Sequence, residues 1–230
     1  MKARSILKLL FRCATAAVLA SSCSSYEYVA SGTSQSVPGL QSYPRVSGKP
    51  ALHTPARIGV LTTARFKQGA LTDDELKQLQ APGIRSIMPV NTYVGDEGHL
   101  WNMADLMHQR AMIINNTRFL DLDVILLCDE TVNVETRQHI EPLQWFSLGI
   151  LNPESTRTRT QLDAAMMDAR TGFIYGVIGD EGKGSSHSLT FLEAEAVKEA
   201  GKNRACSSAR KQLVGRFPAF WTKVKSHYGK

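Results

Sequence analysis

The chain has 230 residues, 43% hydrophobic and 21% charged, with four cysteines. This composition excludes a disordered or collagen-like chain and a disulfide-dense miniprotein, and the length suits one ordinary domain with an appendage. The net charge of +6 is concentrated at the start: Lys2, Arg4, Lys8 and Arg12 stand without an acid among them, and from residue 23 onward 23 bases face 21 acids, too near neutrality for a nucleic-acid footprint.

Residues 1–22 read as a signal peptide. A basic segment precedes a short apolar run from Cys13 to Ala20, then Ser21-Ser22-Cys23. The run is too short to span a bilayer, which takes about 20 apolar residues. An ordinary signal cleaved after a small residue, with Cys23 incidental, is the plain alternative. Leu19-Ala20-Ser21-Ser22-Cys23 resembles the lipobox of bacterial lipoproteins, departing from it in having Ala20 where Leu is usual. The resemblance implies cleavage between Ser22 and Cys23, a diacylglyceryl group on the Cys23 thiol and acylation (palmitate) of the new amine. With Ser24 rather than Asp after the cysteine, it implies an outer-membrane lipoprotein facing the periplasm.

Residues 23–56 are expected to form the lipidated N-terminus and a flexible linker. Among residues 24–56, 16 of 33 are Ser, Thr, Gly or Pro, and apolar periodicity is lacking. Tyr26, Tyr28 and Tyr43 read as scattered linker aromatics rather than a docking patch.

The globular domain is expected over 57–230. Arg57 to Thr63 is β-rich and reads as its first strand. Thr72-Asp73-Asp74-Glu75 is a capping box opening a helix that stops before Pro82-Gly83. Ile84, Ile87 and Val90 suggest a second strand. His99 to Leu120 has near-helical apolar spacing, with a possible break at Asn115-Asn116-Thr117. Asp123 to Cys128 is a continuous apolar run, typical of a central strand covered on both faces. Pro142 to Asn152 reads as another strand, containing Trp145, Phe146 and Leu148. Thr156 to Met167 alternates with period two and turns at Asp168-Ala169-Arg170-Thr171-Gly172 into a partner strand from Phe173 to Ile178. Phe191 to Val214 reads as an amphipathic helix that Pro218 interrupts before a last helical turn. The fold class is therefore α/β (α+β): a single mixed β-sheet with packed helices, a C-terminal antiparallel hairpin and a closing helix.

Gly179 to His187 looks like a phosphate loop. A P-loop needs a Gly where Val177 stands and a hydroxyl residue where Gly184 stands, so the segment reads instead as a polar loop between strand and helix. The sequence holds no G-x-S-x-G, H-E-x-x-H or C-x-x-C. His99 and His108 would diverge on a helix, and His139 with Glu141 looks solvated. Asp121, Asp123, Asp129 and Glu130 could do acid–base work, but read better as charges bracketing a buried strand where it meets water. Cys128, inside that strand, reads as inert, and Cys128 and Cys206 as two free thiols. Arg157, Arg159 and Arg170 read as the solvent face of a strand, pairing with Asp163. No catalytic residue, metal site or cofactor is assigned.

The block from Asp123 to Cys128, Thr156-Arg157-Thr158 through Asp163, Asp168 to Gly172 and Phe173-Ile174-Tyr175 resembles the rhombotail lipoprotein family. That family's C-terminal processing tail is missing here, so tail processing does not carry over. The element order is also similar to the periplasmic domains of curli-secretion lipoproteins and of lipoprotein activators of penicillin-binding proteins, which work by contacts. These readings converge on a non-enzymatic lipid-anchored protein that binds an envelope protein partner, with Asp180, Glu181 and Lys183 on the candidate binding loop. A lipid-anchored envelope hydrolase and a secretion-assembly component are the alternatives.

Overall fold

The computed structural model describes residues 25–29, 52–63, 66, 71–90, 105, 109–138, 151–190 and 193–229. Six strands form one mixed sheet: β1 (Tyr26–Val29), β2 (Ala56–Thr62), β3 (Ile84–Pro89), β4 (Val124–Gln138), β5 (Leu151–Asp168) and β6 (Ile174–Thr190). Their spatial order is β1-β6-β5-β4-β2-β3. β2 runs parallel to both β3 and β4, whereas β4, β5, β6 and β1 pair antiparallel in turn. Helix α1 spans Asp73–Gln78, α2 spans Arg110–Thr117 and α3 spans Ala194–Tyr228. The expected α+β sheet, its hairpin and its closing helix are all present.

Local chemistry places several of these elements. The Thr72 side chain accepts from the Glu75 amide while Glu75 accepts from the Thr72 amide, so the capping box starts α1. The β5–β6 turn is built on Asp168. Its Oδ1 accepts from the Arg170 and Thr171 amides and the Thr171 hydroxyl, and its Oδ2 accepts from the Tyr175 hydroxyl. Gly172 takes φ +70°, which a side chain would resist.

The sheet buries both faces, as the unbroken apolar run at the start of β4 requires. Val124, Leu126 and Cys128 face α1 and α3, joining Leu79, Leu213, Phe217, Phe220, Trp221 and Val224 in one core. Ile125 and Leu127 face the other way and pack with Ile113 of α2, Ala165, Met167 and Val177.

Four expectations are corrected. The segment read as a linker contributes β1, so the sheet begins at Tyr26 rather than Arg57. The apolar run does not end its strand at Cys128: β4 continues to Gln138. Asp129 and Glu130 are therefore inside the strand and buried, not emerging into water. The polar stretch from Gly179 to Ser188 is not a loop but the second half of β6, paired residue by residue with β5. Finally, α3 runs unbroken through Pro218 for 35 residues. A proline inside a helix costs about 3 kcal/mol. Here Leu213, Val214, Phe217, Phe220, Trp221 and Val224 are all fully buried on either side of it, and their burial, at about 1.5–3 kcal/mol each, outweighs that loss.

Of the helix expected from His99, residues 110–117 are α2, followed by a 3-10 turn at Arg118–Leu120. Asn115-Asn116-Thr117 does not break it; the Thr117 hydroxyl instead donates back to the Ile113 carbonyl. Residues 1–24, 30–51, 91–104, 106–108 and 139–150 lie outside the described residues, and with them the signal peptide, Ser22, Cys23, Tyr43, His99, His108, His139, Glu141 and most of the strand expected at Pro142–Asn152. Leu151 and Asn152, from the end of that segment, open β5.

Candidate functional site

Beyond the last β2–β4 pair at Thr62↔Cys128 and the last β1–β6 pair at Tyr26↔Gly179, β4, β5 and β6 continue as a three-stranded ribbon. Its two faces differ in kind because side chains alternate along a strand. The face towards α3 carries Glu130, Leu162 and Asp180 in one cross-strand row, then Thr160 beside Gly182 and Thr158 beside Gly184. The opposite face carries Asn133, Arg159 and Lys183 in one row and Glu135, Arg157 and Ser185 in the next, all exposed.

The covered face holds α3 at close range. A Cβ on Gly182 would lie 1.9 Å from the Ala205 carbonyl oxygen, and one on Gly184 would lie 2.3 Å from that of Gly201. The glycines that resembled a phosphate loop are thus the floor on which a helix backbone rests. Two ion pairs close the same layer. Arg210 donates to Glu130 at 2.9 Å, with both side chains buried and the guanidinium stacked 4.2 Å from the Phe66 ring centroid. Arg216 donates to Asp180 at 2.5 Å. Burial pushes the Asp180 carboxyl above its ordinary range, and Arg216 only partly opposes that.

The residues singled out as a binding loop are therefore divided. Asp180 is fully buried under α3, while Glu181 and Lys183 point to the opposite, solvent-facing side of the ribbon. Arg157 and Arg159 are on that exposed face, as the alternation indicated. Asp163 accepts from the Tyr26 hydroxyl and from Gln161 rather than from an arginine. His187 is exposed at the far end.

The other candidate groups have structural duties. Asp129 accepts from the Thr63 hydroxyl at 2.8 Å. Asp123 receives the Arg57 amide and Asp121 pairs with the Arg57 guanidinium, which pins β2 to the start of β4. Cys128 and Cys206 are free and buried, as expected. Burial pushes the Cys128 thiol up to about 12, with nearby Arg210 opposing the shift and Asp129 adding to it, so little thiolate exists at neutral pH. Burial likewise raises Cys206, whose sulfur lies 3.5 Å from the Thr160 hydroxyl. Among the described residues, no group of three His, Cys, Asp or Glu side chains could hold a metal ion, and no helix is long and apolar enough to cross a membrane.

Sequence reasoning missed the ribbon because Gly, Ser and Asp dominate 179–188 and signal a turn. The usable signal was the spacing of its glycines: Gly182 and Gly184 sit two apart and share the face that meets α3.

No protein-family model matches the chain, and no curated protein sequence matches it, so the resemblance to rhombotail lipoproteins gains no support there. Solved structures similar to it include a PelC L103M dodecamer from Paraburkholderia phytofirmans, at 13% identity and TM-score 0.37, over 86% of this chain and 99% of that one. A putative neuraminyllactose-binding hemagglutinin homolog from Helicobacter pylori is similar at 10% identity and TM-score 0.41, over 81% and 96%. The uncharacterized lipoprotein B of Nitrosomonas europaea is similar at 13% identity and TM-score 0.32, over 80% and 96%. Likenesses this distant assign neither activity nor partner.

Proposed function

We propose that the protein is a non-enzymatic envelope lipoprotein, anchored in the outer membrane through acylated Cys23 and facing the periplasm, whose ribbon captures an envelope protein partner. The observation that carries this reading is the ribbon itself. Three strands extend past the rest of the sheet and are packed by α3 on one face only, and the other face presents Asn133, Glu135, Arg157, Arg159 and Lys183 to solvent. A rigid, helix-backed sheet face with mixed charge is suited to register-specific recognition, because charges there select partners at little cost to the fold. Asp129, Asp168, Glu130 and Asp180, carboxylates that could have argued for an enzyme, serve a strand junction, a turn and two ion pairs, and the thiols of Cys128 and Cys206 are buried.

The test is crosslinking and capture from intact envelopes, comparing wild type with Arg157→Glu combined with Arg159→Glu. Loss of capture with unchanged folding and abundance supports the reading. Undiminished capture removes the ribbon from it. A folded Asp129→Ala protein that still captured its partner but lost all cellular function would favour an enzyme.

A further inference from the structure

Cys23 is three residues upstream of Tyr26, where β1 begins. Three residues of chain span at most about 11 Å, so an acyl group on Cys23 and the edge of the sheet are separated by almost no tether. Had residues 24–51 all been free chain ahead of Leu52, the root-mean-square reach would have been about 30 Å and the limit about 100 Å.

The fit of β1 is built from both sides. On β6, a Cβ on Gly179 would come 2.4 Å from the Tyr26 ring, and one on Gly176 would come 2.4 Å from the Tyr28 carbonyl oxygen. These glycines leave the room that β1 occupies. On β1, alternation sends Tyr26 to one face, where its hydroxyl donates to Asp163 at 2.7 Å. It sends Glu27 to the other, where its carboxylate meets Lys223 at 3.0 Å and Arg216 at 3.8 Å, both on α3. Val29 continues that side into the main core. A four-residue strand is therefore fastened to the hairpin and to the closing helix at once.

We infer that β1 is a clip that holds the globular domain directly against the lipid surface in which Cys23 is anchored, so that the domain stands on the membrane rather than at the end of a long leash. This rests on the lipidation reading above. The clip places the lipid surface next to the β1–β6 edge of the sheet and the C-terminal half of α3, where Arg216 and Lys223 pair with Glu27. With β1 released, the next described contact along the chain is at Leu52, which is buried and bridges to Gly229.

The test uses the full, lipidated chain in vesicles of phosphatidylethanolamine and phosphatidylglycerol. Gly215→Cys accepts a fluorophore, since a side chain there would meet nothing within 4 Å and Cys128 and Cys206 are buried. Energy transfer to acceptor lipids reports the height of the domain, and amide exchange at 26–29 reports the clip. We expect at least tenfold protection of those amides and efficient transfer. Both should fall in Gly179→Val, and in Tyr26→Ala combined with Glu27→Ala should Gly179→Val fail to fold. Unprotected amides at 26–29, or transfer that does not change on releasing the clip, in protein whose mass shows the lipid on Cys23 and which floats with the vesicles, would overturn this inference alone. An unmodified Cys23 would overturn the anchor reading and the membrane contact with it, while protection at 26–29 would still report the clip.

Discussion

At the residue scale, the interface between α3 and the ribbon rests on buried charge, and its two ion pairs differ in kind. Arg210 and Glu130 are both inaccessible, so removing one leaves the other charged in a dry site. Arg210→Met should cost about 3–5 kcal/mol in chemical denaturation, and adding Glu130→Leu should return much of that loss, because a buried pair is hard to break but replaceable by apolar groups. A double mutant no more stable than Arg210→Met would contradict this account.

Arg216 keeps a third of its side chain in water, whereas Asp180 is fully buried. The folded protein therefore holds a proton on Asp180 more readily than the unfolded chain does, since burial raises its pKa from the ordinary 3.8. A carboxyl whose folded pKa is raised contributes stability below its unfolded pKa and loses it as pH climbs through the raised one. Across that window, starting near pH 4, Asp180→Asn should become progressively more stable relative to wild type. Denaturant midpoints measured from pH 4 upward check the sign, and a widening difference in favour of wild type would refute it.

The thiols provide a further residue-scale check. Cys128 and Cys206 are buried and unbonded. Both should resist thiol reagents in the native protein lacking the signal peptide, and both should react, without reductant, once it is denatured. Two unreactive sulfurs after denaturation would mean a disulfide.

At the element scale, the decisive contact is between α3 and the glycines of β6. Gly182→Val should destabilise by more than about 3 kcal/mol or prevent folding, because the side chain would overlap the Ala205 backbone rather than a flexible side chain that could move aside. Gly215→Ala on the same helix has open space around it and should be neutral or stabilising by up to about 1 kcal/mol, from helix propensity. Thermal denaturation of the pair separates close approach from a general intolerance of glycine replacement.

These elements also show what was legible beforehand. The capping box at Thr72, the Asp168 turn and the apolar run from Val124 carry their own local instructions, and each formed where it was read, although β4 continues past the apolar run to Gln138. The second half of β6 carries none: its residues are polar, small or turn-forming, and it becomes a strand because β5 offers an unsatisfied edge and α3 covers it. β1 has β-forming residues in Tyr26, Tyr28 and Val29, but it is only four residues long in a Ser-, Gly- and Pro-rich segment, and it becomes a strand because the β6 edge, Asp163 and α3 supply partners. The candidate site was divided the same way: Lys183 is exposed and Glu181 half-buried on one face, whereas Asp180 beside them is buried on the other, a difference set by strand alternation in a segment whose sequence does not announce a strand.

At the scale of the whole molecule, the chain is organised around one helix. α3 packs against β6, β5, β4, β1 and α1, and its Trp221 indole and Lys225 ammonium both donate to the Pro82 carbonyl ahead of β3. The sheet's parallel half and its antiparallel ribbon are thereby held by a single element about 50 Å long. Truncation at residue 210 should therefore abolish cooperative unfolding of the entire sheet rather than loosen one end. A retained sharp thermal transition would show that the sheet stands without it.

What the sequence determined by itself was what is encoded in short range: the α+β class, the apolar strand from Val124, the antiparallel hairpin that turns at Asp168, and the burial of the Cys128 thiol among aliphatic neighbours. The tertiary structure alone decided where the strands stop. Backbone donors and acceptors in polar, glycine-rich segments find partners only once another edge is beside them, and a helix backbone can rest on glycines only when both are already in place. For that reason four residues of the segment read as a linker became a strand, the loop became a ribbon, and a proline that should have ended a helix is carried inside one.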